Sequence, residues 1–194
     1  MVAIVRFSRW IFTPSFASKK RPEGGDFRGF IEEAKIAAKY AKEFGIQLLY
    51  HNHDFEFATL DGEYGLDLLY REIPADELQT ELDTCWVNIG GEDPSEYIIK
   101  YSGRAPVLHL KDFFGEKSED MYELVGIERK APKRPSNFEF RPVGYGAQDW
   151  AKITSAAEKA DTKWLVVEQE QPSMNLSPME CAKKSREYLK SIGY

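Results

Sequence analysis

The chain has 194 residues, 42% of them hydrophobic and 30% charged, which suits one domain with a substantial core. Its net charge of -6 argues against a general nucleic-acid or anionic-membrane binder. Cys85 and Cys181 lack a CxxC spacing, the apolar start is too short for a signal-peptide core, and no run approaches membrane-spanning length, so the sequence reads as cytoplasmic.

Residues 2–7, rich in β-branched side chains, predict a strand. A helix is expected over 26–44. Asp26 stands at its N-cap, apolar residues recur at helical spacing through Phe30, Ile31, Ala34, Ala37, Ala38 and Ala41, and Gly45 sits at the stop. A strand over 46–52, a short helix over 66–72 ahead of Pro74 and a strand over 78–84 follow. Pro94 opens a helix reaching Tyr101, with Gly103 just past its end, and 105–110 reads as the next strand. The long polar segment 113–147 reads as a loop. Helix 149–160, strand 163–168 and helix 177–192, with Pro178 in its first turn, complete the chain. Strands alternating with helices about five times imply βα units and a parallel sheet.

Four of these strands turn polar at their carboxyl ends. Leu48-Leu49-Tyr50-His51-Asn52-His53 and Val107-Leu108-His109-Leu110-Lys111-Asp112 carry all three histidines, while Glu81-Leu82-Asp83-Thr84 and Leu165-Val166-Val167-Glu168 end in acids. A lone histidine is usually structural; the repetition at strand ends points to one shared site. In parallel βα architectures that is where active sites form. Residues two apart share a strand face. This gives a lower ring of His51, Asp83, His109 and Glu168, and an upper ring of His53, Cys85, Lys111 and Glu170.

Mixed imidazole and carboxylate ligands suit Mn, Co, Zn or Fe, and Mg less well. Such an ion polarises a carbonyl and its neighbouring hydroxyl. Glu168 or Glu170 is the candidate base, with Lys111 or His53 stabilising or reprotonating the intermediate. The competing structural reading pairs Lys111 with Asp112 or another rim acid. Trp86 and Phe55 are candidates to stack on a sugar face, although aromatic residues at strand ends more often simply pack. Gly144-Tyr145-Gly146 lacks the setting of a phosphate loop and reads as a tight turn before the helix capped by Asp149. Lys130, Lys133, Arg134 and Arg141 make the long loop a basic lid candidate. The first three read as solvated charge and Arg141 as the site contact.

Together, Tyr50-His51-Asn52-His53-Asp54-Phe55-Glu56-Phe57, Leu82-Asp83-Thr84, His109-Leu110-Lys111-Asp112, Val143-Gly144-Tyr145-Gly146 with Asp149-Trp150, and Val167-Glu168-Gln169 resemble the sugar phosphate isomerase/epimerase family. This is the xylose-isomerase-like TIM-barrel group that also includes endonuclease IV. The resemblance runs from about Asp26 to the C-terminus. It implies an α/β fold, a (β/α)8 barrel, and one divalent metal ion (Mn, Co, Zn or Mg) held by Glu, Asp, His and Glu from four late strands. Asp83, His109 and Glu168 match the last three; where the first Glu falls this chain has His51, with Glu56 and His53 nearby as substitutes. The expected metal ligands are therefore His51, Asp83, His109 and Glu168. The expected catalytic residues are Glu168, His51 and Lys111, and the expected substrate contacts are His53, Glu56, Trp86, Arg141 and Glu170.

If those strands are the fifth to eighth of a barrel, residues 2–7 form the fourth, and nothing in the sequence supplies the first three. The expectation is a partial (β/α)8 TIM barrel of about five βα units, one domain over residues 1–194, N-terminally truncated. Its open edge would expose unpaired backbone and apolar faces, and a partner subunit in a homo-oligomer is the alternative way to cover it. The leading functional expectation is a divalent-metal-dependent isomerase or epimerase of a small sugar or sugar derivative, working through an enediolate and carboxylate-mediated proton transfer. A metal-dependent lyase or dehydratase on the same scaffold, and a non-catalytic barrel fragment, are the alternatives. His51 in place of a glutamate weakens a two-glutamate shuttle and leaves room for an isomerase of oxidised sugars or a lyase acting by β-elimination. Three histidines and an acidic charge speak against the trinuclear zinc chemistry of endonuclease IV. The expected partner is a small sugar, with neither nucleic acid nor membrane.

Overall fold

A computed structural model of the protein describes residues 20–117 and 137–194, and the backbone of 9–12. The strand expected over 2–7 lies outside the described residues, as do Lys130, Lys133 and Arg134. The first described strand is β1 (Arg9–Phe12). It is followed by α1 (Phe27–Glu43), β2 (Gln47–His51), β3 (Thr59–Leu60), β4 (Glu63–Tyr64), α2 (Gly65–Glu72), β5 (Leu78–Asp83), α3 (Thr84–Ile89), α4 (Pro94–Lys100), β6 (Val107–Leu110), β7 (Asp112–Phe114), β8 (Glu139–Arg141), α5 (Trp150–Lys159), β9 (Trp164–Val167) and α6 (Pro178–Ser191).

Five strands form one sheet in the order β1-β2-β5-β6-β9, with every neighbour parallel. This is a partial TIM barrel. Helices return the chain between strands. Helix α1 buries Phe27, Phe30, Ile31, Ala34 and Ala38 against the sheet, as its spacing predicted. Gly45, at φ 71°, takes the left-handed conformation that ends this helix. Asp26 occupies the N-cap position but makes no capping bond; its carboxylate lies 3.2 Å from Lys20 instead. The core runs from Phe30, Tyr50 and Leu69 through Leu82 and Leu108 to Trp150 and Ile153.

Three features depart from the expected elements. The segment 78–84 ends one residue early because Asp83 caps α3. Asp61 and Gly62, both at positive φ, turn β3 back onto β4 in an antiparallel pair. The two described ends of the long loop pair antiparallel as β7 and β8. At the sheet margin, Val166 and Val167 of β9 are each 38% exposed, and Ile36 and Tyr40 of α1 with its C-cap residue Phe44 form an exposed apolar stripe at a spacing of four.

Candidate metal centre

The register of the parallel strands sets the site. Pairing of His51 with Glu81, Asp83 with His109, and Leu110 with Val167 brings four carboxyl ends level. Side chains then tie these ends together. Asn52 accepts from the Asp83 N–H at 2.9 Å, linking β2 to β5. The Thr84 hydroxyl donates to the His109 carbonyl at 2.9 Å, linking the start of α3 to β6.

His51, Asp83, His109 and Glu168 converge, each offering a ligand atom within 4.8 Å of the others. His109 Nδ1 contacts Glu168, and its Nε2 contacts Glu81. The two oxygens of Asp83 have separate roles. Oδ1 accepts from the N–H groups of Cys85 and Trp86 at 2.8 and 3.1 Å. Oδ2 is buried with no hydrogen-bond partner among the described residues, 3.8 Å from His51 Nε2 and 3.6 Å from Lys111 Nζ. An orphaned carboxylate oxygen beside two imidazoles and a second carboxylate suits a divalent transition metal.

The four groups are pulled in different directions. Burial, reinforced by His109 and His53, lowers the His51 pKa well below the ordinary range, keeping the imidazole neutral. His53 is lowered to about 3 by burial and by Lys111. Burial raises Asp83 to about 6 against the pull of Lys111. His109 moves the other way. Burial lowers its pKa, but its bonds to Glu168 and Glu81 outweigh that and raise it to about 10. Glu168 is held down, because His109 and Lys111 together outweigh burial.

Lys111 is buried, with 1% of its side chain exposed. Its ammonium lies 2.5 Å from Glu170, 3.3 Å from Glu168 and over the Trp86 ring at 4.7 Å. Burial lowers its pKa, but Asp83, Glu168 and Glu170 together raise it above the ordinary value. It therefore pairs with these acids rather than with Asp112. Asp112 is fully buried and accepts from the backbone N–H groups of Phe113, Gly144, Gly146 and Gln148 and from the Trp150 indole. It organises the turn at Gly144-Tyr145-Gly146; a Cβ on Gly146 would collide with it.

Several expected site residues stand elsewhere. Cys85 leaves the upper ring because α3 begins at Thr84 and ends the strand alternation; it is buried with Trp86, Phe113 and Phe140. Trp86 is fully buried behind Lys111 and offers no open face for stacking. Phe55 stacks on His53, with ring centroids 5.3 Å apart, and Arg21 lies over it at 4.3 Å. The His53 ring lies 5.2 Å from that of His51, at the margin of the cluster. Glu56 is turned away, accepting from the Tyr50 hydroxyl at 2.5 Å and the His53 N–H at 2.8 Å. Arg141 pairs with Glu139 and lies over Phe114, while its neighbour Phe140, on the opposite strand face, approaches Lys111. Glu170 stays beside Lys111. Glu81, Asn52 and Thr84, which the sequence reading did not place here, contact the candidate ligands; for Glu81 the signal is its two-residue spacing from Asp83.

Residues 3–192 match the sequence family described as xylose isomerase-like TIM barrel. Among curated relatives, the inosose dehydratase of Lacticaseibacillus casei is 27% identical over 155 residues, 77% of this chain and 49% of the relative. That of Clostridium botulinum (strain Alaska E43 / Type E3) is 30% identical over 184 residues, 92% of this chain and 58% of the relative. The chain thus spans about half the length of the first of these relatives and somewhat more of the second. Of solved structures, a sugar phosphate isomerase/epimerase from Parabacteroides distasonis superposes with a TM-score of 0.65 at 20% identity, covering 97% of this chain and 72% of that one. An L-ribulose 3-epimerase superposes with a TM-score of 0.55, also at 20% identity, covering 83% and 52%. No helix among the described residues is long and apolar enough to cross a membrane.

Proposed function

We propose that this chain, which belongs to the xylose isomerase-like TIM-barrel family, carries the metal-binding and proton-transfer part of a dehydratase for polyhydroxy ketones. The observation that carries the reading is the contact between a carboxylate outside the ligand cluster and a buried ammonium, Glu170 with Lys111 at 2.5 Å. Elimination of water from a hydroxy ketone needs a base on the carbon beside the carbonyl and a proton donor at the departing hydroxyl. Epimerisation by 1,1-proton transfer needs two bases on opposite faces. His51, standing where that reaction would draw on a second acid, supports elimination. The names of the curated relatives support it too.

A divalent ion held by His51, Asp83, His109 and Glu168 would supply Lewis-acid polarisation of the substrate carbonyl. Glu170 accepts the proton from the adjacent carbon. The C–O bond on the next carbon breaks, and the departing hydroxyl takes a proton from Lys111 and leaves as water. The resulting enol tautomerises to the ketone, and the proton on Glu170 returns to Lys111. His51, kept neutral by burial, adds no further negative charge to a centre that already holds the Glu168 carboxylate. An isomerase would share the first proton abstraction and return the proton instead.

The test is product analysis. The Mn2+-loaded protein is incubated in D2O with cyclic and open-chain keto-polyols and followed by NMR. Loss of water to a dicarbonyl product, abolished in E170Q, is expected. Deuterium incorporation with formation of an isomer and no dehydration would overturn the reading.

A further inference from the structure

We propose that Glu81 is a positioning residue that fixes the tautomer of His109, directing the lone pair of Nδ1 into the ligand cluster. The proposal rests on the metal-centre reading above. The His109 ring lies between two carboxylates, Glu168 on Nδ1 and Glu81 on Nε2. Glu168 belongs to the cluster and Glu81 does not. An imidazole that ligates through one nitrogen carries its hydrogen on the other. Glu81 is positioned to accept that hydrogen, which leaves Nδ1 to the ion.

Strand β5 makes the placement firm. Glu81 sits two residues before Asp83 on the same strand face, 4% exposed, in register with Val107 of β6. Solvent has little access to replace it, so removing it strands a buried N–H. Glu81 also enriches the imidazole and so strengthens it as a ligand. The neighbouring His51 ring lies 4.7 Å away centroid to centroid and turns its Nε2 toward Asp83 at 3.8 Å.

Titration calorimetry of Zn2+ into wild type, E81A and E81Q, with 15N–1H NMR of the labelled histidines, tests this. E81A is expected to weaken Zn2+ binding about 10- to 100-fold. E81Q, which keeps an acceptor oxygen for Nε2–H, recovers part of that loss. The Zn2+-loaded wild type shows the His109 hydrogen on Nε2. A purely structural Glu81 would lower the zinc-free Tm of both variants without changing the tautomer, and that result overturns the proposal. Wild-type affinity in E81A, or a loaded His109 with its hydrogen on Nδ1, also overturns it while leaving the metal centre intact. If E81A does not fold, the tautomer and affinity of E81Q decide. A wild-type protein that binds no Zn2+ defeats the metal-centre reading and this proposal together.

Discussion

Replacing Asp112 with asparagine removes the charge from a carboxylate that takes five N–H groups. The donors are Phe113 and Gln148 on Oδ1, at 2.9 and 3.2 Å, and Gly144, Gly146 and the Trp150 indole on Oδ2, at 2.9, 3.0 and 2.8 Å. In its better orientation the asparagine oxygen serves the three donors on the Oδ2 side. Its amide then confronts the N–H groups of Phe113 and Gln148. Two buried donors lose their acceptor at about 1–3 kcal/mol each, so the expected loss is about 2–6 kcal/mol. Against a total stability of about 5–15 kcal/mol that is a large fraction. Urea unfolding followed by circular dichroism reads it as a lower midpoint at unchanged slope. A loss below about 1 kcal/mol would refute the idea that this one carboxylate holds the turn together.

Three further outcomes are expected. Metal analysis of purified variants should show His109→Ala and Glu168→Ala losing more bound ion than Lys111→Ala, because only the first two remove a cluster ligand; equal occupancy in all three would count against the ligand assignment. Burial pushes the Glu56 carboxyl up to about 8 from 4.5. The folded state therefore keeps a proton that the unfolded chain has released, and this group's contribution to stability falls as pH rises from 4.5 to about 8. Glu56→Gln should flatten the decline in stability across that window, and an unchanged slope would contradict the assignment. Ser177 and Glu180 cap α6 reciprocally. Ser177→Ala should lower stability by about 1 kcal/mol, measured by thermal melting, with no effect on metal binding.

The parallel sheet was legible because short apolar runs alternate with amphipathic helices, and helix boundaries followed from Gly45, Pro94 and Pro178. The convergence of His51, Asp83, His109 and Glu168 was legible for a related reason: polar residues at the ends of buried strands have few structural uses. Strand parity holds only as far as Asp83. Extending the β5 alternation to Cys85 ignored that an aspartate at a strand end can cap a helix, and α3 turns Cys85 and Trp86 into the interior. The same parity applied backwards would have found Glu81. Arg141 was favoured for its apolar neighbours, but those neighbours mark a strand whose Phe140 face, not its Arg141 face, looks toward Lys111. Glu56 sat too close in sequence to His53 for spacing alone to show that it bonds that residue's backbone. The Asp61-Gly62 dipeptide is the sequence signal for the hairpin between β3 and β4.

The division of labour within Asp83 gives the site a mechanical property. The oxygen that starts α3 and the oxygen available to a cation belong to one rigid, planar group, so neither can turn without the other. An ion held on the free side would bear on the first turn of that helix and, through it, on the indole behind Lys111. Loading would thereby be geared to the set of the wall around the ammonium through a single pivot.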